Sequence, residues 1–284
     1  MPPEQTRRKR MVGRYVEALR KRHDPTLLPE RAAALADTSR TTISRLENGL
    51  QLPNKHLFAA LLTVYGATDE ERTEAMALWA HARQSAVTVE HAADMPSKYV
   101  AFRRDEADAV AEFTINYVAV PGLLQTADYA MAISDDLGGG DARRSRMTED
   151  RQARQRLLDA PRPLVTHAIL SEAVLRFAVG GPAVQAEQLA HLLAAAESKT
   201  ITIQVVPFAA GSFGTMNGPL TILRFDDDSH LAYLEYPAGG ALVDSPADVS
   251  RFVRMFEDVR RIALTPGEST AFIQQTLDAI KEQL

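Results

Sequence analysis

Residues 38–49 read TSRTTISRLENG. Only Ile43 and Leu46 are apolar, three residues apart, so one narrow side of a helix can be buried while the rest faces outward. Ser39 suits the N-cap and Gly49 the position just past the C-terminus, which predicts a helix over about 40–48. Upstream, Pro29-Glu30 opens a second helix through an alanine-rich stretch to about Ala36, with proline suited to the first helical position. Only Asp37-Thr38-Ser39 separates the two, the spacing of a helix-turn-helix. So tight a turn often needs one left-handed residue, and Asp37 tolerates that conformation less well than glycine would.

Ile43 and Leu46 are expected to face Leu35 and the neighbouring helices. The opposite side presents Arg40, Thr41, Ser44 and Arg45. Arginine can donate two parallel hydrogen bonds to guanine O6 and N7 in the major groove, and threonine can meet a base edge or a thymine methyl. Arg40, Thr41 and Arg45 are therefore the candidate base-reading residues of a double-stranded DNA interface, Arg40 and Thr41 lying in the first turn, where recognition helices meet bases. Ser39, Thr42, Ser44 and Asn48 are the candidate phosphate and docking residues, since phosphate contacts fix register without reading sequence.

Working outward, Val12, Val16 and Leu19 predict an amphipathic helix over about 9–22, which His23-Asp24-Pro25 ends. Leu57, Ala60, Leu61 and Val64 predict a fourth helix. Thr68-Asp69-Glu70-Glu71 resembles a capping start for a fifth, running past Trp79, itself expected to be core. This gives an all-α helix-turn-helix domain of five helices at 1–85, a linker at 86–97, and an α+β domain at 98–284.

In the second domain, helices are expected at 98–113, after the VPGLLQT turn (120–126), at 143–158, 183–196, 246–262 and 267–282, with a loop at 134–141. Strands are expected at 164–170, 200–208, 219–225, 231–236 and 241–244, forming a small, largely antiparallel sheet. Asp226–Ser229 reads as a hairpin loop rather than a metal site, because calcium loops need alternating ligands and a later bidentate glutamate. His167 reads as a half-buried, satisfied strand residue.

Charge is uneven along the chain. Residues 1–60 carry 12 Lys+Arg against 6 Asp+Glu, and residues 61–284 carry 20 against 31, so +6 and −11 sum to the net −5. A basic front on an acidic body suits a local anionic partner, or else a few solvated arginines. A second basic run, Arg143, Arg144, Arg146, Arg151, Arg154 and Arg156, alternates with Glu149, Asp150 and Asp159. It reads as a solvated helix with i,i+4 pairs, the other reading being a phosphate contact or a docking face. There is no cysteine, no apolar run of about 20 residues and no signal-peptide pattern, so no membrane association and a cytoplasmic protein, on the nucleoid when bound to DNA, are expected. Nucleophile-elbow, zinc-protease and P-loop motifs are absent, so no enzyme, cofactor or metal is expected.

The stretch PERAAALADTSRTTISRLENG resembles the Xre/Cro-type helix-turn-helix of repressors, over roughly residues 10–65. The resemblance implies base reading by Arg40, Thr41 and Arg45, phosphate contacts by Ser39, Ser44 and Asn48, and structural roles for Ile43, Leu46 and Glu47. The chain departs from that pattern at Leu28-Pro29, where the family commonly has a polar cap and a phosphate-binding glutamine. The basic N-terminus, Arg7 to Arg10, is the candidate replacement. VPGLLQTADYA, ILSEAVLRFAVGGP, ITIQVVPF and GPLTILRF resemble the C-terminal domain of WhiJ-like, or antitoxin-like, Xre regulators of actinobacteria. That likeness implies a transcriptional regulator, often encoded beside a small acidic partner protein.

The expectation is a homodimeric, sequence-specific DNA-binding regulator, since one short helix reads few base pairs. Its second domain would respond to a small protein partner or a small-molecule effector. The alternative is an antitoxin-like interaction protein whose main role is to sequester the small acidic partner.

Overall fold

The computed structural model describes residues 6–84, 89, 95–136, 140–214, 218–236 and 239–284; at 134–136, 140–147 and 239 it describes the backbone alone. The chain divides into two compact units, Met1–Thr88 and Val89–Leu284. Most of the stretch read as a linker, 86–97, lies outside the described residues.

The first unit consists of α1 (Arg7–His23), α2 (Pro29–Leu35), α3 (Arg40–Glu47), α4 (Lys55–Val64) and α5 (Asp69–Ala82). Its helix starts are set locally. Thr6 accepts the Lys9 N–H at 3.3 Å, Asn54 accepts the Leu57 N–H at 2.9 Å, and Thr68 and Glu71 form a reciprocal capping box. Val12, Val16 and Leu19 of α1 pack with Ile43 and Leu46 of α3 and with Phe58, Leu61 and Leu62 of α4. Trp79 belongs to this core, with Phe58 6.0 Å away between ring centroids, and donates to the Pro53 carbonyl at 3.1 Å. The expected Leu35 contact is not made. Leu35 is 61% exposed, and Ala32 and Ala33 are buried in its place. Leu35 lies about 200° round the helix from Ala33, and the two alanines are the small residues that admit close packing.

The second unit contains α6 (Ser97–Asp108), β1 (Ala111–Asn116), a 3-10 turn at Gly122–Leu124, α7 (Ala127–Asp136), α8 (Gly140–Gln155), β2 (Val165–Ser171) and α9 (Glu172–Arg176). There follow α10 (Pro182–Ala195), β3 (Ile201–Val206), β4 (Leu220–Arg224), β5 (His230–Tyr236), β6 (Gly239–Val243), α11 (Pro246–Ile262) and α12 (Pro266–Lys281). The strands form one sheet in the order β3-β2-β1-β4-β5-β6.

The sheet is mixed, which corrects the largely antiparallel expectation. β1 pairs parallel with β2, and β2 parallel with β3; the β1–β4, β4–β5 and β5–β6 pairs are antiparallel. Apolar strand runs do not encode direction. The helical stretches between β1, β2 and β3 supply the crossovers that parallel pairing requires. Residues 111–113, read as the end of a helix, belong to β1 instead. Ala109 has extended backbone, which stops α6 one residue earlier.

One face of the sheet is largely apolar: Ile115, Ile169, Val206, Leu220, Ile222 and Ala232 pack with Phe256 and Val259 of α11. His167 lies on this face, edge-on to Phe256, and hydrogen-bonds Gln204 at 2.7 Å, as a satisfied strand histidine should. The other face has two apolar regions. Ala168, Leu170, Ile203 and Val205 meet Leu189 and Leu192 of α10 and Ile273 and Leu277 of α12. Leu223, Leu231 and Tyr233 meet Phe102 of α6.

Between these regions, β1 turns Glu112, Thr114 and Asn116 inward, all buried. A seam of buried charge covers them. Arg154 of α8 binds Glu106 through Nε at 3.0 Å and NH2 at 2.5 Å, and Arg103 of α6 also pairs with Glu106. Arg103 Nε reaches Asp150 at 2.9 Å, and Tyr99 donates to the same carboxylate at 2.6 Å. Arg151 donates to Tyr99 at 2.9 Å and to the Gln125 side chain at 3.0 Å. The same seam anchors the VPGLLQT turn, because the Gln125 amide also donates to the Val120 carbonyl at 2.8 Å.

The seam corrects the reading of the arginine run as solvated at two of its members: Arg154 is 6% exposed and Arg151 half-buried, both paired inward, whereas Arg156 is exposed. The side chains of Arg143, Arg144 and Arg146 lie outside the described residues. Asp226 and Asp227 do lie on an exposed turn, where Arg162 pairs with Asp226.

Burial would raise Glu106, but the charges of Arg154 and Arg103 outweigh it and hold the carboxyl below its ordinary range. Asp150 is lowered against burial in the same way, chiefly by Arg103. Glu112 is driven well above its ordinary range, first by burial and then by the charge of Glu106, with which it shares a hydrogen bond. The seam therefore holds a proton on Glu112. Glu106→Ala, leaving two buried guanidiniums short of their carboxylate, should destabilise the second unit by ~3–5 kcal/mol in urea denaturation followed by circular dichroism. Because Glu112 is raised on folding, its contribution is full below about pH 4.3 and is lost as pH rises toward its folded value. Glu112→Gln should remove that alkaline loss, and the same pH slope in both proteins would contradict the assignment of the proton.

Candidate nucleic-acid interface

The turn between α2 and α3 is made by Asp37 at φ 48°, the left-handed residue expected there. Ser39 then caps α3, accepting the Thr42 N–H at 3.1 Å, and its hydroxyl bonds the Thr42 hydroxyl at 2.9 Å. At the other end, Gly49 has φ 64°, its N–H bonds the Leu46 carbonyl at 2.9 Å, and the Leu50 N–H bonds the Arg45 carbonyl at 2.7 Å. These two bonds form a Schellman ending. Both ends of this eight-residue helix are thus closed by its own sequence.

Packing then sets its rotation. Ile43 and Leu46 are fully buried. Gly13 of α1 lies against the last carbonyls of α3, where an added Cβ would stand 2.5 Å from the Leu46 oxygen. An added Cβ at Gly49 would stand 2.7 Å from the Arg10 Cα. The first turn of α1 therefore rests on the end of α3 with no side chain between them, which places Arg10 of the basic run there.

An ion pair locks the contact. Arg20 of α1 grips Glu47 with Nε at 2.6 Å and NH2 at 2.8 Å, both side chains buried, while its NH1 donates to the Leu27 carbonyl. Tyr65 is buried close by, and burial followed by the charge of Glu47 raises its pKa. Glu47 thus joins α3 to α1 and to the chain before α2.

The candidate contact residues fall as follows. Arg40, Thr41, Ser44 and Arg45 are exposed together on the side of α3 away from Ile43 and Leu46. Arg40 Nε binds Glu30 of α2 at 2.6 Å, and Arg45 NH1 reaches Gln51 at 3.4 Å. Asn48 is exposed and donates to the Ser44 carbonyl at 2.7 Å. Ser39 is exposed with its cap bonds made, and Thr42 is half-buried against it. At the start of α2, Leu28 offers no side-chain cap and is 62% exposed, and Pro29 offers no N–H. Sequence reading missed Arg20, Glu30 and Gly13. The first two are surface-type residues in an ordinary charge pattern, and their pairing spans 27 and 10 positions.

No helix of the described residues is long and apolar enough to cross a membrane, and no cluster of three or more potential metal ligands occurs among them. Glu47→Ala leaves Arg20 buried without its carboxylate and should cost ~3–5 kcal/mol. The fluorescence of Trp79, the only tryptophan, reports unfolding of this unit.

Residues 12–75 match the family model of a helix-turn-helix domain, which spans α1 to α4 and much of α5. No curated protein and no solved structure matches the chain. Residues 99–275, more than half of the chain and most of the second unit, match the model of a domain of unknown function (DUF5753). The chain belongs to that DUF5753 family and carries a helix-turn-helix domain ahead of it.

Proposed function

We propose that this protein is a sequence-specific DNA-binding transcriptional regulator that inserts the first turn and outward face of α3 into the major groove. The observation that carries the reading is the exposed set Arg40, Thr41, Ser44 and Arg45 on a helix closed at both ends and locked in rotation by the Arg20–Glu47 pair. Exposure alone would suit any solvated helix. A short helix held this rigidly presents its donors at fixed spacing, which base recognition requires. The helix-turn-helix match supports it.

The finer assignments are proposals on the same footing. Arg40, Thr41 and Arg45 read bases; Ser44 and Asn48 contact phosphate; and the hydroxyls of Ser39 and Thr42 position the helix start while facing the backbone. Two copies pair half-sites about one helical turn apart. The second unit acts as a binding module rather than an enzyme and modulates occupancy through a small acidic protein or a small ligand. The likeness to Xre-type regulators of actinobacteria supports this division of labour.

Selection of bound fragments from genomic DNA tests the reading: a recurring motif with a two-fold repeat is expected, and recovery of random fragments would refute sequence specificity. On the selected site, Arg40→Ala or Arg45→Ala should each cost about 1–3 kcal/mol and relax preference at one position. Affinity should fall steeply with salt, because phosphate contacts release counterions. Unchanged affinity in both variants would remove α3 as the reading element.

A further inference from the structure

We propose that the second unit has a binding site for a phosphate-bearing small molecule in the cleft between α11 and the turn at Gly214. The cleft is open to solvent, has a volume of about 410 Å³ and is lined by Gly214, Arg251, Arg254, Met255, Asp258 and Val259. That volume falls within the roughly 300–1,000 Å³ range of small-molecule sites.

The charge pattern of α11 singles the site out. Arg260 pairs with Glu257 at 2.7 Å, Arg261 with Asp258 at 2.5 Å, and Arg251 with Asp248 at 3.5 Å. Arg254 alone of the four has no acidic partner among the described residues. The residue one turn before it is Arg251, and the acids one turn after it, Glu257 and Asp258, are held by Arg260 and Arg261. Asp258 therefore lines the cleft with its charge already answered. Like charges three apart on a helix repel by a few tenths of a kcal/mol. Here the pair stands at the mouth of a concavity, in the part of the chain, 61–284, whose balance is −11. Arg254, and Arg251 with its pairing to Asp248 through NH1 at 3.5 Å, set two exposed guanidiniums one turn apart; planar forks of this kind bind phosphate oxygens bidentately once they exchange a loose surface carboxylate for the ligand.

Opposite α11, the described lining residue is Gly214. Gly214 has φ 55° and is seated on the Tyr117 hydroxyl, which an added Cβ would overlap. Phe213, beside it, stacks on Tyr117 at 5.2 Å between centroids, which fixes the position of the chain at 213–214. Val259 and Phe256 anchor α11 in the apolar face of the sheet, so the arginines project from a fixed base.

Titration calorimetry of the full chain with pyrophosphate, in the absence of DNA, tests the site. Saturable binding is expected in the unsubstituted protein and in Arg260→Gln, whose arginine lies outside the cleft. Arg254→Gln should weaken it about tenfold or more, the loss of one charge-assisted fork. Both substitutions are at exposed positions, and a melting curve for each checks folding. No saturable binding by the unsubstituted protein, or equal binding by Arg254→Gln, overturns the proposal. Weaker DNA binding by Arg254→Gln without any response to pyrophosphate also overturns it, by assigning the arginine to nucleic acid. The measurement is independent of α3, so failure here and failure of the DNA-binding reading are separate results.

Discussion

The orientation of α3 rests on the Arg20–Glu47 pair. Each charge is buried, and neither would be tolerated there without the other. Glu47 closes the last turn of α3, Arg20 lies in the last turn of α1, and the third guanidinium nitrogen holds the Leu27 carbonyl ahead of α2. Three segments are thus tied at one point. The near-contact of Gly13 with the α3 carbonyls brings the backbones close enough for the short bidentate geometry to form. Everything the outward face of α3 can do follows from this, because a helix of eight residues has only Ile43 and Leu46 as apolar anchors.

The second unit solves a different problem. Its sheet has one largely apolar face, with the His167–Gln204 pair on it, and one face divided by a polar strand, β1, whose inward residues include Glu112. A buried carboxylate is expensive in water-excluding surroundings. The seam meets the cost in two ways: arginines from α6 and α8 neutralise Glu106 and Asp150, and Glu112 keeps its proton. Two helices and the VPGLLQT turn, distant in sequence, are joined by this chemistry. It specifies where α8 and the turn sit more sharply than apolar packing could, since each hydrogen bond fixes a direction as well as a distance. The VPGLLQT turn is held in this way by Gln125, engaged at both ends of its amide.

Much of the first unit was legible because its signals are local. Caps, a turn needing a left-handed residue, a terminal glycine and an apolar pair at helical spacing each act within a few residues. Leu35 was misread because alternation on a seven-residue helix does not reveal which side meets the core when alanines are available. In the second unit, the starts of α11 and α12 were legible from Pro246 and Pro266. β1 was not, since AEFTIN alternates polar and apolar residues only briefly and follows a helix without a strong stop. The arginines of α8 were read as solvated because their partners, Glu106, Tyr99 and Gln125, lie 26–52 positions away.

The sequence by itself determined the helix-turn-helix, the closed helix α3, the outward set Arg40, Thr41, Ser44 and Arg45, and an α+β second part. These depend on short-range hydrogen bonding and on periodicity, which the order of residues states directly. Only the tertiary structure decided the direction of the strands, the burial of Arg20 and Glu47, and the charged seam under β1. Strand direction depends on how the chain returns, and a charge is buried or solvated according to partners that only folding brings within 3 Å.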